Sequence, residues 1–211
     1  GRPLIDRFRQ AASALAPQSM TLVVGHQADA VRAALAGRPD LTFVVQEPQL
    51  GTAHALLTTE AVLGSKRGTL ILLSGDVPLL RAETLKDLAA LHRRTGAAAT
   101  VLTAVVDRPV GYGRVVRAGE KIVKIVEHKD ATDSEREISE INAGIYAFDL
   151  SGLFDAVRAI AAENAQAEYY LPDLVSNFLQ QGRGFETMTV GSAEDSLGSS
   201  LLGCSARQVP C

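Results

Sequence analysis

The sequence predicts an α/β fold with a mostly parallel sheet wound in the Rossmann manner. Three observations carry that expectation. Short apolar runs alternate with helically spaced segments in units of roughly thirty residues, the rhythm of βαβ repeats. An apolar run, Thr69-Leu70-Ile71-Leu72-Leu73, ends in Ser74-Gly75-Asp76-Val77-Pro78-Leu79-Leu80, an acid just past a strand's carboxyl end. The chain of 211 residues is 46% hydrophobic and 21% charged, material for one sizeable core.

The elements follow in order. Ile5 to Leu15 has helical spacing, and Met20 to Gly25 is a short apolar strand. Ala28 to Leu35 is a helix, Leu41 to Gln46 a strand, and Gly51 to Leu63 an Ala/Leu-rich helix. Thr69 to Leu73 is the strand already noted. Arg81 to Arg94 is a helix, with Glu83 early and His92-Arg93-Arg94 late, as the macrodipole prefers. Ala98 to Val106 is strand-like. Val115-Val116 and Ile122 to Val126 flank Ala118-Gly119-Glu120 as a hairpin. Asp130 to Glu137 is a charged loop or short helix. Ile141 to Phe148 is a strand, Ser151 to Ala162 and Leu171 to Gln181 are helices, and Phe185 to Val190 is a last strand. Residues 1–190 are therefore expected as one domain. Residues 191–211, where periodicity fades, are expected as a poorly ordered tail.

Bulk properties exclude some classes. A net charge of -3 gives no basic footprint for nucleic acid. No apolar run is long enough to cross a membrane, and no secretory signal opens the chain. Cys204 and Cys211 lie outside the expected core with no metal-binding spacing, so a reducing, cytoplasmic setting is expected.

Six clusters could carry chemistry. Asp76 could hold a divalent ion against phosphates; the plain alternative is a turn or cap residue. In Gln46-Glu47-Pro48-Gln49-Leu50-Gly51-Thr52-Ala53-His54-Ala55, Gly51 lets a ligand approach the backbone and Thr52 is a natural N-cap. Gln46 offers both a donor and an acceptor, as a uracil edge requires; a plain strand-loop-helix junction is the alternative, and His54 receives no role. Gly111-Tyr112-Gly113-Arg114 permits close backbone approach or merely a tight turn. Glu127 follows an apolar strand and could accept sugar hydroxyls, whereas His128-Lys129-Asp130 reads as a solvated run. Asn142, inside a strand, is disfavoured by propensity and needs a hydrogen-bond partner, backbone or ligand. Glu168-Tyr169-Tyr170-Leu171-Pro172-Asp173 places aromatics at a helix entry, where core packing is the alternative.

In their order and spacing these clusters resemble one family. The chain is similar to the uridyltransferase domain of bacterial bifunctional N-acetylglucosamine-1-phosphate uridyltransferase/glucosamine-1-phosphate acetyltransferases, from Gly1 to about Gly198. Gln-Leu-Gly-Thr-Ala-His-Ala, Gly-Asp-Val-Pro-Leu, Gly-Tyr-Gly-Arg, Val-Glu-His-Lys-Asp-Ala, Glu-Ile-Asn-Ala-Gly and Glu-Tyr-Tyr-Leu carry the resemblance.

The resemblance implies a Rossmann-like nucleotidyltransferase that joins UTP and N-acetylglucosamine 1-phosphate into UDP-N-acetylglucosamine. It implies that Gln46, Gly51 and Thr52 hold uracil, and that Ser74, Gly75 and Asp76 line the cleft, with Asp76 catalytic and bound to Mg²⁺. It implies that Gly113, Glu127 and Asn142 hold the N-acetylglucosamine, with Tyr170 nearby. Full-length members are homotrimers built largely by a β-helix, which this sequence does not carry. The family's first strand, its Gly-x-Gly-Thr-Arg-Met loop and the following Lys do not precede Gly1, and Ser199-Ser200 stands where the family has a metal-binding Asn. The expectation is a domain truncated at both ends and inactive alone. The alternatives are a non-catalytic product with residual sugar-nucleotide binding, or another sugar-phosphate nucleotidyltransferase.

Overall fold

Alternating apolar strands and amphipathic helices do build a layered α/β unit. The computed structural model describes residues 4–26, 28–74, 81–162, 164 and 166–192. In chain order these are α1 (Leu4–Ser13), β1 (Met20–Val24), α2 (Ala28–Ala34), β2 (Leu41–Val45), α3 (Thr52–Leu57), α4 (Glu60–Leu63), β3 (Thr69–Leu73) and α5 (Ala82–Thr95). Then come β4 (Ala99–Val105), β5 (Arg114–Ala118), β6 (Lys121–Val126), α6 (Asp133–Arg136), β7 (Glu140–Asp149), α7 (Leu153–Arg158), α8 (Asp173–Gln180) and β8 (Phe185–Ser192). The tail expected from residue 191 lies, from residue 193 on, outside the described residues.

β1 and β2 pair in parallel as a two-stranded sheet. The larger sheet runs β6-β5-β7-β4-β8, with β3 on the other side of β7's carboxyl half. β3, β4, β5 and β8 share one direction, so this sheet is mostly parallel in sense; β6 and β7 run against it. The expected β5–β6 hairpin is present. What the βαβ rhythm did not announce is β7, a ten-residue strand lying antiparallel between β3 and β4.

β7 shows why the sheet is covered on both faces. Side chains alternate across a strand. Tyr146 and Phe148 join one apolar cluster, with Leu56, Leu153, Leu174 and Phe178. Ile141, Ile145 and Ala147 join the other, with Leu85, Leu88 and Leu102. The Tyr146 and Phe148 rings stack with centroids 5.4 Å apart.

Two local departures from the periodicity have side-chain causes. The helix expected over Gly51 to Leu63 is broken into α3 and α4. At the break the Thr58 hydroxyl donates to the Ala55 carbonyl and the Thr59 hydroxyl to that of Leu56, the competition that weakens Ser and Thr inside helices. His92 does not serve α5 as a surface cation. It is buried, its Nδ1 lies 3.0 Å from the Thr100 hydroxyl, and burial lowers its pKa despite the nearby Asp149.

Candidate active site

A cleft of 2350 Å³ gathers most of the candidate residues. Gln46, Thr52, Ser74, Gly113, Glu127, Asn142 and Tyr170 all line it. They come from β2, α3, β3, β6, β7 and the segment before α8, which places the cleft where strands and loops of both sheets meet. Gly75 and Asp76 lie outside the described residues.

One wall is the junction of β5, β6 and β7. Gly113 sits just before β5, and its carbonyl accepts from the Asn142 N–H at 2.9 Å. A Cβ at Gly113 would lie 3.3 Å from Glu127 Oε1, 3.4 Å from Ile125 and 3.6 Å from Asn142 Cβ. Three residues singled out from separate stretches of sequence are therefore in direct contact. A side chain there would crowd the Glu127 carboxylate, which would have to give way by a few tenths of an ångström.

Asn142 has the partner its strand position demanded, and that partner is backbone. Its Oδ1 accepts from the Gly144 N–H at 2.9 Å, a local turn of the Asx kind. The pairing of β7 with β4 shifts register at this point, with Val101 opposite Tyr146 and Thr103 opposite Asn142. Gly144 there takes φ +71°, a left-handed conformation that glycine adopts without a Cβ penalty. Bulges of this type re-aim side chains beside active sites. The Ser74 hydroxyl donates to the Gly144 carbonyl at 2.9 Å, tying the end of β3 to the same bulge.

Beneath this wall lies the Tyr146 phenol, 2% exposed and without a well-formed hydrogen bond among the described residues. Burial raises its pKa, with the Glu127 charge adding to the effect. The Tyr170 phenol is pushed up to about 12 by burial and by Asp130, Glu168, Glu127 and Asp173. Both phenols are protonated at neutral pH and can donate to an oxygen-rich ligand. Burial, with Asp130, also raises Asp173.

The opposite wall is built around Gly51. It has φ +104° and ψ 178°, and a Cβ there would meet the Tyr169 carbonyl at 2.6 Å and its nitrogen at 2.9 Å. Two backbone bonds, Tyr169 N–H to Leu50 and Ala53 N–H to Tyr169, stitch the segments together at 2.8 Å each. Thr52 is not the N-cap expected of it. Gly51 holds that position, and the Thr52 hydroxyl instead accepts from the Leu171 N–H at 2.9 Å. The Ala53 N–H at the start of α3 is engaged by the Tyr169 carbonyl.

Gln46 is held from two sides. Its Nε2 donates to the Gly51 carbonyl at 2.9 Å and lies 3.1 Å from His54 Nδ1, which leaves the carbonyl oxygen as its remaining polar group. His54, which received no role, is thus a positioning residue. Its spacing of one helical turn inward from Gly51 was the available signal.

Arg114 was also missed. It is 1% exposed, and its guanidinium donates to the Tyr112 and Arg136 carbonyls and faces His128 Nδ1. It fixes the loop that delivers Gly113. His128 is not merely part of a solvated run: burial, then Arg114 and Arg136, lower its pKa and keep it a neutral acceptor.

The class these features define is an α/β protein whose cleft joins a carboxylate beside Gly113 to a backbone-built junction at Gly51. Sequence comparison makes the class specific: residues 3–193 match the nucleotidyl transferase family, and the chain belongs to it. It is 43% identical over 199 residues to the Bifunctional protein GlmU of Halalkalibacterium halodurans, covering 94% of this chain and 43% of that protein. It is 45% identical over 198 residues to the Bifunctional protein GlmU of Syntrophotalea carbinolica, covering 94% and 42%. The chain thus spans less than half the length of these relatives, in keeping with the bifunctional family its motifs resemble. A UDP-glucose pyrophosphorylase solved with UDP-glucose has the same fold, with a TM-score of 0.68, 18% identity and coverage of 89% of this chain and 79% of that one.

Proposed function

We propose that this chain is a uridyltransferase domain that joins UTP and N-acetylglucosamine 1-phosphate into UDP-N-acetylglucosamine, a precursor for cell-wall synthesis. The contact of Gly113, Glu127 and Asn142 across three strands carries the reading. It offers a carboxylate acceptor, an amide and an open space beside them, the chemistry that a hydroxyl- and acetamide-bearing sugar requires. Gln46, Gly51 and Thr52 form the side for uracil, and Ser74, Gly75 and Asp76 the side for the phosphates.

In the reaction an oxygen of the sugar phosphate bonds to the α-phosphorus of UTP. The bond from that phosphorus to the bridging oxygen breaks, and pyrophosphate leaves with the electron pair. Such transfers depend on positioning and charge stabilisation, and no protein nucleophile is needed. Mg²⁺ belongs to this proposal, with Asp76 as its ligand. Among the described residues, which do not include Asp76, no group of three His, Cys, Asp or Glu side chains could hold a metal.

The test is direct titration with three sugar nucleotides. UDP-N-acetylglucosamine is expected to bind more tightly than UDP-glucose or dTDP-glucose, and Asn142→Ala to weaken it by about tenfold, the size of one lost hydrogen bond. Equal or tighter binding of either competitor would place the chain with another sugar-phosphate nucleotidyltransferase. Pyrophosphate release in the same mixture, with and without Asp76→Ala, separates a domain that transfers from one that only binds.

A further inference from the structure

Gln46 has fewer polar groups to offer than its side chain carries. It stands one residue past β2, and its backbone N–H donates to the Val24 carbonyl at 2.8 Å, which carries the β1–β2 pairing through it. A side-chain amide nitrogen has two hydrogens. The Gly51 carbonyl takes one at 2.9 Å, and His54 Nδ1 stands 3.1 Å from the same nitrogen, placed to take the other. Among the described residues no donor meets the Oε1, and it is not one of their buried unpartnered atoms. Gln46 lines the cleft, so this acceptor is what its side chain presents there.

The orientation of the amide follows from the chemistry of its neighbours. A carbonyl oxygen only accepts, so the amide atom facing Gly51 is the nitrogen. His54 Nδ1 is then the bare, accepting nitrogen of the ring, and the ring proton sits on Nε2. The Gly51 carbonyl alone is a weak lock. It also accepts the Ala55 N–H at 3.0 Å, so it stays satisfied if the amide turns away. His54 supplies the second hold, and its own place is fixed. The Ala53 N–H donates to the Tyr169 carbonyl at 2.8 Å, and the Thr52 hydroxyl accepts from the Leu171 N–H at 2.9 Å.

We propose that His54 is a positioning residue that sets base choice: by accepting an amide hydrogen of Gln46, it leaves only an acceptor facing the nucleobase. The two groups act as a pair, and His54 itself does not touch the base. An acceptor at that place matches a pyrimidine whose ring N3 carries a hydrogen, as in uracil. It opposes one whose N3 is a bare acceptor, as in cytosine, because two lone pairs then face each other and neither is satisfied. Without His54 the amide can turn its nitrogen to the ligand and suit either base. This inference rests on the proposed placement of uracil beside Gln46, and it adds the residue that makes that wall selective.

The test is calorimetric titration of the full chain with UDP and CDP, which share ribose and phosphates and differ in the base. The unaltered chain should bind UDP about tenfold more tightly, the size of one hydrogen bond. His54→Leu removes the acceptor and should bring the two affinities together. His54→Asn, whose Oδ1 can stand where Nδ1 stood, should restore most of the preference. In Gln46→Ala no preference is left to set, and adding His54→Leu should change the ratio no further. A preference that persists in His54→Leu, that is lost equally in His54→Asn, or that shifts again in the double variant would overturn the proposal. A ligand-free measurement stands beside these variants. Long-range proton–nitrogen correlation on the unaltered chain in mildly alkaline buffer should find the His54 proton on Nε2; a proton on Nδ1 would overturn the proposal whatever the variants do. If the unaltered chain does not bind UDP saturably, the uridyl-transfer reading falls and this inference with it. If UDP binds but the ratio ignores His54, this inference alone falls.

Discussion

β4 and β1 are both short apolar strands, but the molecule buries them to different depths. Six of the seven residues of β4 are fully buried, between β7 on one side and β8 on the other. β1 has one fully buried residue in five and a single described partner. The sequences alone would not separate them. The difference lies in how many edges are paired, and it teaches that an apolar run states the burial a strand is suited to, not the burial it has. The candidate site inherits the same contrast. Its Gly113–Glu127–Asn142 wall rests on β7, which is paired on both edges, whereas its Gln46–Gly51 wall stands on β2 beside the half-covered β1.

The sharpest way to break this comparison is a pair of core truncations. Phe148→Ala, at 0% exposure on β7, is expected to cost about 4 kcal/mol by urea denaturation. Leu22→Ala on β1 should cost less than about 1 kcal/mol, because a half-covered side chain forfeits only part of its transfer energy. Equal losses would mean that β1 is covered after all.

A smaller effect concerns the Gly51 wall. Gly51→Ala should cost about 2 kcal/mol, since its backbone conformation is restricted to glycine and the added Cβ meets backbone atoms of Tyr169. Gly96 caps α5 at φ +63° with nothing within 4 Å of an added Cβ. Gly96→Ala should therefore cost only about 1 kcal/mol. Thermal unfolding of the two variants side by side measures the difference; equal shifts would remove the close approach as the cause.

The smallest effects belong to α6, which packs against β5 next to the Gly113 wall. Thr132 and Glu135 form a capping box, and Glu135 also pairs with Lys124 at 2.7 Å. Thr132→Ala should cost about 1 kcal/mol. The Lys124 partner, with the Thr132 backbone and hydroxyl, holds the Glu135 carboxyl at about 2, below its ordinary 4.5. A depressed folded-state pKa stabilises the fold above the ordinary value, and that contribution fades as pH falls from about 4.5 toward 2. Lys124→Met should flatten this part of the acid-unfolding curve. An unchanged curve would show that the pair contributes nothing.

The legible part of the fold was local. Hairpin turn chemistry at Gly119, apolar strand runs and helical spacing all lie within a few neighbouring residues, and the elements they announced are present. β7 was legible as a strand, but its antiparallel seat between β3 and β4 depends on pairings across dozens of residues, which periodicity does not encode. The breaks and ties that set the site were hidden for a related reason. Thr52 reads as a cap until Leu171 is brought beside it, and His54 reads as a packed helix residue until Gln46 is. Arg114 reads as an ordinary strand cation until three carbonyl or imidazole acceptors enclose it. Asn142 was the informative exception, because an amide in a strand is unfavourable enough to announce that a hydrogen-bond partner, backbone or ligand, must satisfy it.

The central claim is that Gly113, Glu127 and Asn142 form one sugar-binding wall. Amide chemical shifts of the isotopically labelled chain, followed as UDP-N-acetylglucosamine is added, test it most directly. The account predicts saturable shifts at Gly113, Glu127, Asn142 and Gly144, which UDP alone does not reproduce. Shifts confined to other strands, or the same shifts with UDP alone, would contradict it.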